Sequence, residues 1–345
     1  MPPAFTSSEL MKVLGIESSC DETAAAVVAD GRVVLSSVVA SQVAIHRPYD
    51  GVVPELASRE HLRVVAPVVS RALAEAGMAA DTLDGLAVTR GPGLIGALLV
   101  GFSFAKAYAW ALGLPWVGID HLEAHIQAVF LGDDPPPFPF VALMVSGGHT
   151  CLYDVTGPTA MTPLGQTRDD AAGEAFDKVA KMLDLGYPGG EVIDRIAVDG
   201  DPTRVAFPRP FLNRDTFDFS FSGLKSAVRR HLETHPPLCS RDMADIAASF
   251  QEAVVDVLTA KAVAACRRRG CRHLALVGGV AANGRLRTRL TADARSKGIR
   301  VHIPAPAFCG DNAAMVAAIG YHRLAAGERT PLDADVFSRH PIRIG

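Results

Sequence analysis

The run His121-Leu-Glu-Ala-His125 carries the most specific chemistry in this chain of 345 residues. Histidines at i and i+4 project from one helix face and can hold one metal ion through two neutral imidazoles. The run differs from the zinc-protease pattern H-E-x-x-H, whose Glu directly follows the first His. Here Leu122 takes that place, and Glu123 is rotated away from the histidine face. Two imidazoles leave a metal short of ligands, and Asp311 is a candidate oxygen donor. The competing reading is a surface or capping pair with no metal.

Two glycine turns follow apolar strand patterns, Val145-Ser-Gly-Gly-His-Thr150 and Val277-Gly-Gly-Val-Ala-Ala-Asn283. Such turns present backbone N–H groups with no Cβ in the way, which suits phosphate or carboxylate. Neither matches the Walker A or the G-x-G-x-x-G pattern, and a plain tight turn is the alternative. Asp170, Glu174 and Asp177 are spaced to share one helix face, where they are either a solvated row or ligands for ribose hydroxyls or a cation. Tyr187-Pro-Gly-Gly190 reads as a turn with Asp194 just beyond it. Glu17-Ser-Ser-Cys-Asp-Glu-Thr23 reads as a strand-to-strand turn bearing carboxylates and hydroxyls.

The elements that must hold these residues form a plan stated twice. Lys12 to Ile16, Thr23 to Val28 and Val33 to Val39 read as a three-stranded meander. Helix Pro54 to Gly77, strand Leu83 to Thr89, helix Leu94 to Leu112, strand Trp116 to Ile119 and helix His121 to Leu131 follow. After the four prolines of residues 132–139, strands Phe140 to Val145, His149 to Val155 and Ala160 to Leu164 begin the plan again. Helices Ala171 to Leu185, Ser222 to Leu232 and Ala244 to Arg268 come next. Strand His273 to Val277, a helix from Asn283, strand Arg300 to Ile303 and helix Asp311 to Ala326 complete it. The expected organisation is α/β, two duplicated lobes around a central cleft. Residues 12–131 with 311–345 make the first lobe, 140–310 the second, and 132–139 a linker. The cleft is the default ligand site.

Composition agrees with a folded, cytoplasmic chain. It is 49% hydrophobic and 21% charged, enough apolar material for two cores at roughly 150 residues per domain. Six scattered cysteines form no C-x-x-C, which argues against a disulfide framework or thiolate zinc site. The first dozen residues lack a signal pattern, and the apolar stretch Leu94 to Ala105 is too short for a membrane span, so it reads as a buried helix. Net charge is -3, yet residues 201–300 hold 18 Lys+Arg against 9 Asp+Glu. The clusters Arg204, Arg209 and Arg214, Arg229 and Arg230, Arg267 to Arg269, and Arg285, Arg287 and Arg289 are a candidate patch for a polyanion.

Together these motifs resemble the TsaD/Kae/Gcp family of tRNA adenosine threonylcarbamoyltransferases. The matching pieces run in order through Gly15 to Thr23, Val53-Pro-Glu-Leu-Ala-Ser-Arg59, Thr89-Arg-Gly-Pro-Gly-Leu94, His121 to His125, Val145 to Thr150, Asp169 to Lys178, Phe219-Ser-Phe-Ser-Gly-Leu-Lys225, Gly278 to Asn283 and Cys309-Gly-Asp-Asn312. Ser146 to Thr150 and the Asp169 to Lys178 run are similar to the bacterial branch. The chain departs from the family pattern at Gly310, where Thr is common, and at Gly186, where Asp is usual.

The resemblance implies the ASKHA fold, the two-lobed architecture of actin, sugar kinases and Hsp70. It also implies transfer of a threonylcarbamoyl group from threonylcarbamoyl-AMP to N6 of the adenosine beside the anticodon, at position 37, in tRNAs reading codons that begin with A. Family metal ligands fall on His121, His125 and Asp311, with Fe2+ favoured and Zn2+ an alternative. Substrate contacts fall on Met144, Val145, Ser146, Gly147, Gly148, Asp177, Gly190, Asp194 and Asn283. Glu17 and Asp21 are candidate bases for the N6 proton. Expected partners are tRNA, the TsaB paralogue and the TsaE ATPase, with no membrane. An ASKHA-type small-molecule kinase, a nucleotide-dependent scaffold and a metallopeptidase are the competing readings; a kinase has no need of the histidine pair, and the displaced Glu123 counts against a peptidase.

Overall fold

Near-continuous runs of buried apolar residues in the inner strands build two five-stranded sheets, seen in a computed structural model that describes residues 10–212 and 214–339. In the first sheet Lys12–Glu17 (β1), Glu22–Ala29 (β2) and Val33–Ser41 (β3) form an antiparallel meander. Gly85–Gly91 (β4) and Trp116–Asp120 (β5) add in parallel, giving the order β3-β2-β1-β4-β5. The second sheet uses Phe140–Val145 (β6), Thr150–Gly157 (β7), Ala160–Gln166 (β8), His273–Val277 (β9) and Arg300–His302 (β10), in the order β10-β9-β6-β7-β8. Three antiparallel strands followed by two parallel ones recur in both, so the plan read twice in the sequence is the plan of both sheets.

The chain divides into two compact units, one of residues 1–42, 52–133 and 311–345, the other of 43–51 and 134–310. The short turn Val43–His46 (α1) thus groups with the second unit, although it is flanked on both sides by first-unit chain.

Within the first unit the pleat sorts side chains onto two faces. Leu14 and Ile16 of β1 pack with Pro54–Glu75 (α2) and Ile95–Leu112 (α3) through Val65, Val69, Phe102 and Ala105. On the opposite face Gly15 lets Ala313–Ala325 (α10) lie against the sheet. A Cβ on Gly15 would meet the Ala313 carbonyl oxygen at 2.2 Å, so no larger residue fits without moving the helix that follows Asp311. His121–Gln127 (α4) begins directly after β5, and Asp120 caps it by accepting from Leu122 N and Glu123 N at 2.9 and 3.1 Å.

One expectation fails here. The α3 helix is buried on one side only, through Ala97, Leu98, Gly101, Phe102, Ala105 and Ala109, while Ile95, Leu99 and Trp110 are 48%, 43% and 75% exposed. A helix apolar all round gives no pattern that says which face is core. Its length and mean hydropathy of 1.5 also make it the one described helix long and apolar enough to cross a membrane.

In the second unit the 30-residue helix Ser240–Arg269 (α8) is the main support of its sheet. Phe250 of this helix meets Phe176 of Ala172–Met182 (α5) edge to face, 5.2 Å between ring centroids, and both rings are almost wholly buried. Each such ring contributes on the order of 3 kcal/mol. Gly189–Ala197 (α6), Ser222–Thr234 (α7) and Gly284–Arg295 (α9) complete the layer. The α6 helix is absent from the sequence reading because two glycines open it, each unfavourable in a helix by about 1 kcal/mol. Packing overrides that preference: a Cβ on Gly189 would lie 2.6 Å from the Asp177 Cα.

Candidate active site

In the first unit, α4 and the residue just before the α10 cap bring His121, His125 and Asp311 together. One potential ligand atom from each lies within 4.8 Å of the others, the one such group of metal-ligating type among the described residues. Asn312 holds the start of α10 by accepting from Met315 N at 2.9 Å, which fixes the neighbouring Asp311. Asp311 Oδ1 lies 3.0 Å from His125 Nε2 and 3.6 Å from His121 Nε2. Both histidines are buried, and the buried His125 Nδ1 has no hydrogen-bond partner among the described residues. Gly310 does not disturb this setting, since a Cβ there would meet nothing within 4 Å. Glu123 pairs with Arg323, so it takes no part in the group.

Glu17 stands behind this trio and is fully buried. Its Oε1 accepts from Ser19 N, and its Oε2 accepts from Thr89 Oγ1 at 2.6 Å and lies 3.0 Å from His121 Nδ1. In the neutral ring that a metal would require, a proton on Nδ1 directed at the carboxylate leaves the Nε2 lone pair for the side that Asp311 faces. Burial alone would raise the Glu17 carboxyl, but the charge and hydrogen bond of His121 hold it below the ordinary range. Burial disfavours a charged His121, yet Glu17 and Asp311 push it up to about 9. With both oxygens engaged, Glu17 is placed to orient His121. Asp21 lies on the same β1–β2 turn, outside the His121, His125 and Asp311 group.

Two residues at this turn were not singled out from the sequence. His61 on α2 receives the Thr23 hydroxyl proton at Nδ1 (2.7 Å) and donates from Nε2 to the Cys20 carbonyl (3.0 Å), and burial keeps it neutral. It pins the turn that carries Glu17. The half-buried Glu22 carboxyl is pushed up to about 8, by burial first and then by Asp311, Asp21 and Glu17. A lone His in a helical run, or one Glu among several acids, gives no signal for either.

In the second unit a cavity of about 500 Å³ is lined by five of the expected substrate residues, Gly147, Asp177, Gly190, Asp194 and Asn283. Phe176, Gly279 and Val280 contribute the apolar part of the wall. The Gly147 and Gly148 N–H groups make no hydrogen bond among the described residues, although Gly148 is not part of the lining. Met144 and Val145 are wholly buried in β6 and Ser146 nearly so. They carry the turn without lining the cavity. Asp177 Oδ1 accepts from Gly189 N at 2.8 Å and Asp194 Oδ2 from Gly284 N at 2.9 Å, so the two acids fix the openings of α6 and α9 at the rim.

The expected acidic row on α5 does not form. Asp170 precedes the helix, where Lys225 and Lys178 bind it at 2.7 and 2.9 Å, and Glu174 also pairs with Lys178. Only Asp177 reaches the cavity. Burial would raise the Asp170 carboxyl, but the two lysines hold it below its ordinary value of 3.8. A depressed native pKa contributes stability that is present above 3.8 and lost as pH falls through the native value. Asp170→Asn should therefore cost roughly 2 kcal/mol at pH 7. Denaturant titrations should show the gap from wild type closing on acidification below that value, and a gap unchanged at pH 2 would refute the assignment.

Six of the eleven arginines in these clusters enter ion pairs among the described residues. Arg285 binds Glu252 at 2.6 and 2.8 Å, Arg289 binds Glu252 and Asp293 at 2.9 Å, and Arg209 binds Asp256. Arg268 and Arg269 pair with Asp215 and Asp154. Apart from Asp293, four residues from Arg289, these acids come from distant sequence positions, so the run of bases overstated the free positive charge.

A doubly wound pair of sheets with an imidazole–carboxylate cluster in one unit and a glycine-lined cavity in the other defines an ASKHA-type protein. Two solved structures support that fold. HypF in its phosphate- and nucleotide-bound form superposes with a TM-score of 0.62, covering 95% of this chain and 48% of that one at 12% identity. Component A of the (R)-2-hydroxyglutaryl-CoA dehydratase of Acidaminococcus fermentans gives 0.55, covering 91% and 99% at 16% identity. Residues 33–318 match the family described as TsaD, tRNA N6-adenosine threonylcarbamoyltransferase. Proteins of that name from Desulforapulum autotrophicum and Geobacter sp. (strain M21) are 57% and 55% identical, over 95% and 96% of this chain and 99% and 97% of theirs. This chain belongs to the TsaD family: it is a transferase, and its substrate is tRNA.

Proposed function

We propose that the chain transfers the threonylcarbamoyl group from threonylcarbamoyl-AMP to N6 of the adenosine at position 37, beside the anticodon, in tRNAs that read codons beginning with A. The observation that carries this reading is the glycine-walled cavity of the second unit, lined by Gly147, whose N–H is unpartnered among the described residues, and by Asp177, Asp194 and Asn283. Amide donors suit the adenylate phosphate, and the acids and the carboxamide suit a nucleoside. In the transfer, N6 attacks the carbamoyl carbonyl carbon, a C–N bond forms, the bond to the AMP phosphate oxygen breaks, and N6 gives up one proton. The amides of Gly147 and Gly148 are placed to hold negative charge that develops on AMP. Asp21 is the proposed acceptor of that proton, since Glu17 is engaged with Thr89, Ser19 and His121, and the Glu22 carboxyl, pushed up to about 8, already holds its own at neutral pH.

His121, His125 and Asp311 fit one divalent metal, Fe2+ or Zn2+. The convergent Nε2 atoms of His121 and His125 and the Asp311 carboxylate are the donor set such an ion takes, with Glu17 behind His121 and the buried His125 Nδ1 left without a partner among the described residues. When bound, the ion supplies Lewis acidity toward a carbonyl or phosphoryl oxygen. Glu17 then holds the His121 tautomer. Glu17→Gln should lower metal affinity by about 10- to 100-fold, read by competition with a chelator, while the fold persists. An unchanged affinity would mean that Glu17 serves only the β1–β2 turn.

Companion proteins, a TsaB-like paralogue and a TsaE-like ATPase, are part of this reading. The uncovered apolar residues Ile95, Leu99 and Trp110 on α3, and Leu62 at 68% exposed on the α2 helix that packs with it, support a partner on the first unit. The test is mass spectrometry of nucleosides from unmodified tRNA incubated with this chain, both companions and threonylcarbamoyl-AMP. Appearance of threonylcarbamoyladenosine, lost when this chain is omitted, is the expected result. No product from a folded, metal-loaded chain, alongside an active reference set, would shift the assignment to a kinase or scaffold.

A further inference from the structure

We infer that Gln251 is a positioning residue for the nucleotide cavity, acting through Asn283; this deepens the proposed function and rests on its placement of the adenylate in the second unit. Asn283 has both ends of its carboxamide committed. Its Oδ1 accepts from Leu286 N at 2.9 Å as the cap of α9, and its Nδ2 donates to Gln251 Oε1 at 2.7 Å. The orientation is decided by chemistry, since Leu286 N is only a donor and must face the Asn283 oxygen. The Asn283 nitrogen therefore faces α8, and Gln251 must answer with its oxygen. Gln251 is 5% exposed and Asn283 8%, so water cannot easily replace either partner.

One N–H of Asn283 is consumed by Gln251, and the other is left to the cavity that Asn283 lines. Gln251 does not line that cavity; it lines a separate one of about 360 Å³ with Asp194, Glu252, Gly284 and Arg285. The hydrogen-bonded pair is thus a partition whose far side sets the angle of the donor on the near side. Without the Gln251 oxygen, the carboxamide keeps its cap but loses the contact that fixes its plane, and its buried N–H has no acceptor.

The experiment measures the affinity of the whole chain for AMP by calorimetry in wild type, Gln251→Leu, Gln251→Glu, Asn283→Ala and the Gln251→Leu/Asn283→Ala double variant, with Tm recorded for each. Gln251→Leu should weaken AMP about fivefold, the worth of one neutral hydrogen bond. Gln251→Glu retains an acceptor oxygen for Asn283 Nδ2 and should bind within about twofold of wild type, which a mere packing role would not predict. In the Asn283→Ala background Gln251→Leu should have no further effect. Additive losses, or a Gln251→Leu protein that binds as wild type, would overturn the inference while leaving the adenylate reading intact. A wild-type chain that takes no AMP would overturn both.

Discussion

His121→Ala should abolish threonylcarbamoyl transfer and leave a folded protein that no longer retains a stoichiometric metal. The side chain is removed from the middle of a chain of contacts, with Glu17 on its Nδ1 side and Asp311 and His125 on the other. Losing a ligand should cost more metal affinity than the 10- to 100-fold expected of its outer partner Glu17. The fold should survive because α4 is secured elsewhere, by its Asp120 cap and by buried Leu122, Ala124 and Ile126. Glu17 also keeps its bonds to Ser19 and Thr89 in the variant. Metal analysis, circular dichroism and nucleoside mass spectrometry on one preparation separate these claims. Normal modification by a folded, metal-free variant would refute the metal role. Loss of activity with metal still bound would place His121 on the substrate instead.

The contrast between what was legible and what was not follows from the range of the interactions. The histidine pair and the repeated strand plan are local patterns, with periods of about four and two residues, so they can be read from the chain. The glycine turns at 146–148 and 278–279 are also local, and both lie at the ends of the central parallel strands β6 and β9. Asp311 is separated from His125 by 186 residues, so the local pattern offers it only as one candidate oxygen donor, and the family pattern supplies the pairing. The role of Glu17 depends on partners 72 and 104 residues away, so the sequence offered it as a base. The same holds for α5, where Asp170 met Lys225 across 55 residues rather than joining a helix face. The Arg285 and Arg289 cluster looked like free charge because Glu252 lies more than 30 residues upstream. For Glu17, Asp170, Arg285 and Arg289 the information absent from the local pattern is the identity of a distant counter-group.

Two glycine substitutions should fail in opposite ways and so separate scaffold from ligand contact in the second unit. Gly278 has φ +92° and sits against β6, where an added Cβ would lie 2.4 Å from the Val145 carbonyl oxygen. Ala is penalised there twice, by the left-handed backbone and by contact with a strand that cannot retreat from the sheet. Gly278→Ala should lose about 3 kcal/mol or more of stability, and the Gly279 to Asn283 wall of the cavity should be displaced with it. Gly147 lacks that backbone constraint, and a Cβ there would meet nothing within 4 Å. Gly147→Ala should change unfolding by less than about 0.5 kcal/mol. It should nevertheless weaken AMP by tenfold or more, because the methyl group occupies the space from which the amides reach the phosphate. Calorimetric unfolding and AMP titration on both variants decide the matter. If Gly147→Ala binds AMP as wild type does, the phosphate is not at this turn. A Gly278→Ala protein of wild-type stability would show that β6 yields at Val145, and the close approach would then not explain the glycine.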